Sequence, residues 1–440
     1  MLTLSPSLFA VTSGAAALAL ALLYIRRPGV AVAVLFPLLS LELRTSVSFG
    51  GATVPVSSTI VLVAVLLTTA LATGRFATLR RRRFGVLPWL GLFVAVALVS
   101  LVGAADPLYG LRKALELAVA VAGYALVLVS VQSLNDARAF LISAAASLAL
   151  VAVTTVVEVA HTSGQALAQF GHSNVLGAYV ALVAPLATVL VWERTRGHAR
   201  TAALVLTALV AFGILGLSGS RGAFLAFILE AAVMVWFLME LGPRRRYRSW
   251  GAALAVLLGV PLSLLVTLAG RPLASLYEPA YVTHVFRLAV WREAVPMFVG
   301  HPVLGVGYMN PGLALRETAG ILAFHTHNLY LEILSGMGLL GFAVFVGLAV
   351  AVRGQVKRLS GHRPGGDGGQ AVPAVPFASL VAWAVSAIAL GLLAQGFVDF
   401  NLWDLRYTAP LAAVLALPSV VRVQSIGAEP PAGGLLDEGA

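Results

Sequence analysis

The chain has 440 residues, 60% of them hydrophobic and 11% charged, with a formal net charge of +11 and no cysteine. A soluble globular protein carries about 25% charged residues, so this composition excludes an ordinary soluble enzyme, a disordered chain and a disulfide-stapled secreted domain. It calls for a polytopic membrane protein, and the absence of cysteine removes thiol nucleophiles, thiolate metal sites and thiol redox chemistry.

A bilayer-spanning helix needs about 20 mostly apolar residues. Runs of that kind recur at 7–25, 56–74, 85–104, 114–131, 139–160, 173–192, 201–218, 222–241, 250–269, 328–352 and 377–398. Two shorter runs, 29–43 and 407–421, span only if flanking residues snorkel. The expectation is an all-α, polytopic transmembrane helix bundle of about 12–13 spans. Pro37, Pro185 and Pro261 fall inside spans, where buried helices tolerate them. Arg26 and Arg27 follow the first run rather than precede it, so that run reads as a span and not as a cleavable signal. The expected division is 1–269 as an N-terminal transmembrane bundle of ten candidate spans, 270–327 as a large periplasmic loop, 328–423 as C-terminal spans and 424–440 as a flexible cytoplasmic tail.

With thirteen spans and an external N-terminus, alternate connections collect 20 of the 29 Lys and Arg on one side. These are Arg26–Arg27, Arg75 with Arg80–Arg83, Arg138, Arg194/Arg196/Arg200, Arg244–Arg246 with Arg248, Arg353/Lys357/Arg358/Arg363, and Arg422. The positive-inside rule makes that side cytoplasmic. Nine basic residues break the pattern and fall outside: Arg44, Arg112, Lys113, Arg221, Arg271, Arg287, Arg292, Arg316 and Arg406. Most of the positive charge is therefore topological and not a nucleic-acid footprint.

Most outer connections are short; the exception is 270–327, 58 residues too polar to span. Within it, 281–299 reads as an amphipathic helix, with Val282, Phe286, Ala289 and Val290 on one stripe and His284, Arg287 and Trp291 on another. Such a helix either lies on the outer membrane surface or caps the bundle. Three helix starts on the outer side carry polar clusters: Gly171-His172-Ser173-Asn174, Ser218-Gly219-Ser220-Arg221-Gly222 and His325-Thr326-His327-Asn328. Helix N-termini present free N–H groups and partial positive charge. With Arg221, Arg287 and Arg292 added, they outline an outer pocket suited to a phosphorylated ligand, because guanidinium binds phosphate oxygens bidentately.

Each candidate has a plainer alternative. Arg221 is either functional or a snorkelling helix-end arginine. Arg287 either stacks on Trp291 or, with Arg292 and Glu293, lies on a solvated helix face. His325 and His327 are the best catalytic candidates, since imidazole accepts a proton at neutral pH; otherwise they are cap residues beside Asn328. A metal site from His-x-His lacks a third ligand of recognisable spacing, and no metal is expected. Gly216-Leu217-Ser218-Gly219 matches the G-x-S-G of intramembrane serine proteases weakly. Asp399, Asn401 and Asp404 fit either solvated loop residues or carriers of protons or ions in a transporter. Glu230, near mid-span, is either functional or paired across helices.

Taken together, S-x-S-R-G at 218–222, R-x-x-x-W at 287–291, H-P-x-x-G-x-G at 301–307 and H-x-H-N-x-Y-L at 325–331, followed by Gly336, Gly338 and Gly341, resemble the O-antigen ligase and O-antigen polymerase superfamily. The likeness is specific over about residues 170–345. It implies a GT-C-class membrane glycosyltransferase of the bacterial inner membrane, using a polyprenyl-diphosphate-linked glycan donor without metal, nucleotide sugar or other cofactor. By the resemblance, Arg221 and Arg287 hold the donor diphosphate and His327 is the general base, with His325 its nearby alternative. Ser220, Trp291, Arg292 and Asn328 are supporting, substrate-binding members. The acceptor would be a sugar hydroxyl on lipid A–core in a ligase, or on another lipid-linked repeat in a polymerase. A non-catalytic transporter of a lipid-linked anion is the alternative from a different class.

Overall fold

The computed structural model describes residues 5–40, 43–49, 52–81, 84–161, 166–240, 251, 255, 259, 278–360 and 376–427. These form an all-α bundle with one small hairpin. In chain order the helices are α1 (Pro6–Arg26), α2 (Pro28–Ser40), α3 (Ser58–Ala72), α4 (Leu87–Val99), α5 (Pro107–Ser130), α6 (Leu134–His161) and α7 (Ser173–Arg194). There follow α8 (Gly197–Ser218), α9 (Arg221–Glu240), α10 (Glu278–Gly300), α11 (Pro311–Ala319), α12 (Leu329–Ser360), α13 (Phe377–Gln395) and α14 (Leu405–Gly427). Eight of the described helices are long and apolar enough to cross a membrane, and three shorter apolar helices, α2, α3 and α4, accompany them. The protein is a multi-pass membrane protein. All but residues 251, 255 and 259 of the expected span at 250–269, the tail beyond residue 427 and the side chain of His284 lie outside the described residues.

Several helix starts follow from local chemistry. Asp106 accepts from the Tyr109 N–H at 2.9 Å, with Pro107 as the first helical residue of α5. Ser5 and Pro6 repeat the pattern at α1. Such caps satisfy N–H groups that have no intrahelical partner. α7 and α13 run through the middle of the bundle, where Tyr179, Leu182, Val183, Ala384 and Val385 are buried. α1 and α8 lie at the periphery and expose Val11, Leu18, Leu22, Val205, Leu206 and Leu209. Exposed apolar rows of this size are what a helix facing lipid presents.

Three features differ from expectation. Strands β1 (Arg44–Phe49) and β2 (Ala52–Ser57) pair antiparallel between α2 and α3, with Phe49 opposite Ala52. Their Val and Thr content favours a pleated ribbon, and hydropathy alone does not register so short an element. Second, α11 forms inside the large outer segment. Third, the outward side of α10 is largely apolar among the described side chains. Val290 and Ala294 are buried against the bundle, yet Val285, Leu288, Val295 and Val299 are exposed on the outward side. α10 packs against α11 and α12, and the same outer face carries the exposed Arg292.

Contacts sort the connections into two ends. At one end, Arg26, Arg27, Arg75, Gln132 and Asp136 line a common cleft, Arg138 pairs with Glu193 at 2.7 Å, and Gln355 bonds Ser419. At the other, the Asp106 N–H donates to Asn310, the Tyr308 N–H to Ser100, Asn328 to the Phe397 carbonyl and Arg406 to the Gln169 carbonyl. Among the described residues the division follows the alternation read from charge: Arg26, Arg27 and Arg75 share one end, and Arg287 and Arg406 are at the opposite one.

The glycines after the His-x-His motif lock this second end. α12 is broken at Gly338 (φ 64°, ψ −164°), where a side chain would collide with the Val303 carbonyl. Through the break, the N–H groups of Leu339 and Leu340 bond the carbonyls of Pro302 and Val303, and the Val306 N–H bonds Ser335. The turn-rich stretch after His301 is thereby fastened to the helix that follows the histidines.

Candidate functional site

The starts of α7, α9 and α12 meet at this end, together with the connection between α13 and α14. Gly177 brings α7 against Ser220 and Ala223, where any side chain would clash, and Gly222 brings α9 against Gln395, Val398 and Asp399. The three polar clusters that sequence spacing placed at separate helix starts are thus neighbours.

The Ser218–Arg221 turn is a cap. Gly219 sits at φ 66°, the left-handed conformation that closes α8 and that glycine adopts without strain. Ser218 donates to the Leu215 carbonyl and accepts from the Ser220 N–H; Ser220 accepts from the Ala223 N–H at 3.4 Å. Ser218 is fully buried and its hydroxyl is committed, so the G-x-S-G match is a helix terminus and not a nucleophile. Arg221 opens α9 with its side chain exposed.

The His-x-His turn is held by five hydrogen bonds. Trp291 donates its indole N–H to the Thr326 carbonyl at 2.9 Å, so it braces the turn. The Thr326 N–H donates to Glu332 at 2.7 Å, and the His327 N–H to Nδ1 of His325 at 3.1 Å. Asn328 accepts from the N–H groups of Tyr330 and Leu331, both at 3.0 Å; it is the cap of α12. His327 takes φ 53°, a conformation that side chains other than glycine rarely adopt and that persists only where surroundings impose it.

The two histidines differ in environment. His325 is buried beneath Trp403 and beside Phe400. Burial, then the charges of His327 and others, pushes its pKa down to about 3, so it is a neutral ring. His327 stays partly open, its side chain 21% exposed, and its Nδ1 lies 3.6 Å from the buried carboxylate of Asp399. Burial acts to raise the Asp399 pKa, but its interactions with His327, with His325 and with the Phe400 N–H outweigh it and hold the group below its ordinary value. An ionised Asp399 therefore faces His327 at a distance just beyond a hydrogen bond, where its charge stabilises an imidazolium. His172, its pKa lowered chiefly by burial, and Lys113, which donates to the Trp403 carbonyl at 3.1 Å, complete the wall.

The arginines divide. Arg287 is half-buried, its Nε buried without a hydrogen-bond partner, close enough for its charge to act on His325; Phe286 beside it contacts His327 edge-on. Arg292 is exposed; five residues further along an α-helix it lies about 140° round the axis. It shares the outward face of Leu288 and Val295, not the site. Arg406 is bound to Asp404 and to the Gln169 carbonyl, fastening the α13–α14 connection that carries Asp399.

Asp399 is what sequence reasoning underweighted: with Asn401 and Asp404 it read as either a solvated loop residue or a proton carrier. Its signal was present: the acid stands in Phe-Val-Asp-Phe-Asn between two spans, a setting too apolar for solvation. It supplies the third ligand that the His-x-His motif lacked. His325, His327 and Asp399 are, among the described residues, the group able to hold a metal ion, with candidate ligand atoms within 4.8 Å of one another. Tetrahedral zinc needs ligand atoms about 3.3 Å apart, and His325 Nδ1 is already occupied. The geometry suits a direct His–carboxylate pair. Glu230 is buried in α9 against Gly391 of α13, inside the span and apart from this cluster.

Comparison with known proteins follows the same stretch. A family model described as O-antigen ligase matches residues 206–346, which include Arg221, Arg287, His325 and His327 but not His172 or Asp399. A curated O-antigen ligase of Pseudomonas aeruginosa is 26% identical over 179 residues, 40% of this chain and 39% of that protein. The chain thus aligns with about two fifths of the length of the curated relative it matches. Over these residues, and in the motifs they carry, this chain is similar to the O-antigen ligases.

Proposed function

We propose that the protein is an inverting membrane glycosyltransferase that moves a glycan from a polyprenyl-diphosphate donor to a sugar hydroxyl of lipid A–core at the periplasmic leaflet of the inner membrane. The observation that carries the reading is the His327–Asp399 pair at 3.6 Å, set at the meeting of three helix N-termini with Arg287 alongside. Asp399 keeps the proton on Nδ1, leaving Nε2 to accept. The acceptor hydroxyl gives its proton to Nε2 as its oxygen bonds to the anomeric carbon. The bond from that carbon to the diphosphate oxygen breaks, and the diphosphate leaves with the electron pair. A base of this kind is worth about 10²–10⁴ in rate. Diphosphate needs stabilisation of growing charge more than a proton, and in this reading Arg221 and Arg287 provide it. One displacement with one base inverts the anomeric centre.

The reading is tested by transfer in vitro from a polyprenyl-diphosphate glycan to lipid A–core, with the parent protein, His327→Ala and Arg221→Ala. Loss of transfer with donor binding retained in His327→Ala supports it; variants that transfer as well as the parent overturn the site. Polymerase and ligase share the motif residues, and a deletion strain separates them. Single repeats still attached to lipid A–core mean a polymerase, whereas loss of attached polymer means a ligase. A transporter would convert no donor and would tolerate His327→Ala.

A further inference from the structure

Three histidines meet at the outer end, and a displacement driven by His327 leaves one of them, His172, without a task. It stands at the start of α7, on a connection that is pinned along its length. Glu158 accepts from the N–H groups of Leu167 and Ala168. Arg406 donates to the Gln169 carbonyl at 3.1 Å and lies against the buried ring of Phe170. Ala168 takes φ 43°, which a residue other than glycine keeps only where its surroundings impose it. This fixed connection delivers His172 edge-on to Trp403, with ring centres 5.7 Å apart; the other neighbour of that indole is His325.

The two ring nitrogens of His172 differ. Nδ1 accepts from the Asn174 N–H at 3.3 Å and so caps α7. A nitrogen that accepts carries no proton, and burial holds the pKa of the ring below the ordinary 6.5, so the single proton is on Nε2. Among the described residues Nε2 has no hydrogen-bond partner, and the atom keeps accessible surface. It is an open N–H. Taking a further proton would require the Nδ1 lone pair that holds the cap, so His172 is a donor and not a second base. Asparagine, aspartate, serine and threonine are the preferred caps. Histidine adds what they lack, a second nitrogen on the far side of the ring.

The charge that acts on His172 most strongly is the Asp399 carboxylate, followed by His327, Asp404 and Arg406. The open N–H therefore belongs to the neighbourhood of the reacting pair. A carboxylate there repels a phosphate oxygen and leaves a neutral oxygen as the acceptor of choice.

We propose that His172 is a substrate-binding residue whose Nε2–H donates to a hydroxyl or ring oxygen of a sugar held beside His327. The identity of the ligand rests on the glycosyltransferase reading.

Two substitutions divide the ring and so test this. Asparagine places its amide oxygen near Nδ1, and glutamine places its amide nitrogen near Nε2. His172→Asn keeps the cap and removes the donor; His172→Gln keeps the donor and weakens the cap. Equilibrium binding to the full chain in nanodiscs is measured with lipid A–core, a polyprenyl-diphosphate glycan and bare polyprenyl diphosphate, and melting temperature is read alongside. His172→Asn should melt with the parent and bind one of the two glycan probes about threefold to tenfold more weakly, as loss of one neutral hydrogen bond implies. Which probe it is assigns the sugar to acceptor or donor. Bare polyprenyl diphosphate should bind as before. His172→Gln should melt lower and bind both glycans within about twofold of the parent.

Unchanged binding of both glycans by His172→Asn overturns the proposal. An equal loss for bare polyprenyl diphosphate also overturns it, by making the oxygen a phosphate's, and an equal loss in His172→Gln does so by tracing the effect to the cap. Transfer by the parent and by His327→Ala reports on the glycosyltransferase reading separately. If the parent binds glycans as stated but transfers none, that reading falls and His172 stands; if it binds neither glycan, both fall.

Discussion

Replacing Asp399 by asparagine removes one charge and almost no volume, so its effect isolates what the carboxylate does for His327. At the observed 3.6 Å, Coulomb's law with an effective dielectric of about 20 gives an attraction of about 4.6 kcal/mol between carboxylate and imidazolium. The fifth of the His327 side chain open to solvent screens part of this, leaving about 2–3 kcal/mol for the protonated ring that forms at the transition state. At about 1.4 kcal/mol per tenfold, Asp399→Asn should slow turnover roughly 30- to 150-fold. Because the charge matters only once the ring is protonated, KM for the donor should hardly change. The assay is initial-rate transfer at saturating acceptor across a donor series, with thermal melting to verify folding. A folded Asp399→Asn variant within about threefold of the parent rate would refute the assignment of His327 as a base oriented by Asp399, since a threefold change is about 0.7 kcal/mol.

Arg287→Ala should abolish most transfer, about 100-fold or more as expected for losing a charge-assisted contact to the leaving group, whereas Arg292→Ala should stay within about threefold. Equal effects would place both side chains at the diphosphate, contrary to their positions on α10. Gly338→Ala puts a side chain against the Val303 carbonyl at φ 64°; a loss of about 2–4 kcal/mol, read as a lower melting temperature or failure to accumulate, is expected. His325 makes stability sensitive to acid. Its pKa falls from the ordinary 6.5 to about 3 on folding, so between those values the unfolded chain binds the extra proton. Its contribution is complete above about pH 6.5 and declines as pH falls towards about 3, by about 2 kcal/mol near pH 5. The melting temperature should therefore drop from pH 7 to pH 5, and drop less in His325→Gln; an equal drop in both assigns the sensitivity elsewhere. Chelation by EDTA should leave transfer unchanged. Loss of activity on chelation, restored by zinc, would make His325, His327 and Asp399 a metal centre.

Much of this molecule was legible in one dimension because the bilayer imposes one-dimensional rules. A helix must be apolar over a fixed length, and basic residues must avoid one side, so fold class, the positions of most helices and the two-ended sorting of charge follow from counting. The cap chemistry of Ser220 and Asn328 was local and readable in the same way. What counting does not reach are contacts between residues distant in sequence. The charge pattern singled out Arg287 and Arg292 alike, and only the rotation of α10 against α12 directs one inward and leaves the other on the outer face. Asp399, 72 positions after His327, reads as a solvated acid until the α13–α14 connection folds it beneath the histidine. The hairpin between α2 and α3 was missed because twelve strand residues carry too little hydropathy signal to register. Sequence determined that a cationic patch faces one side of the membrane; tertiary packing alone decided which of its members share a site, because proximity across helices depends on close approaches, at Gly177, Gly222 and Gly338, that no linear period encodes.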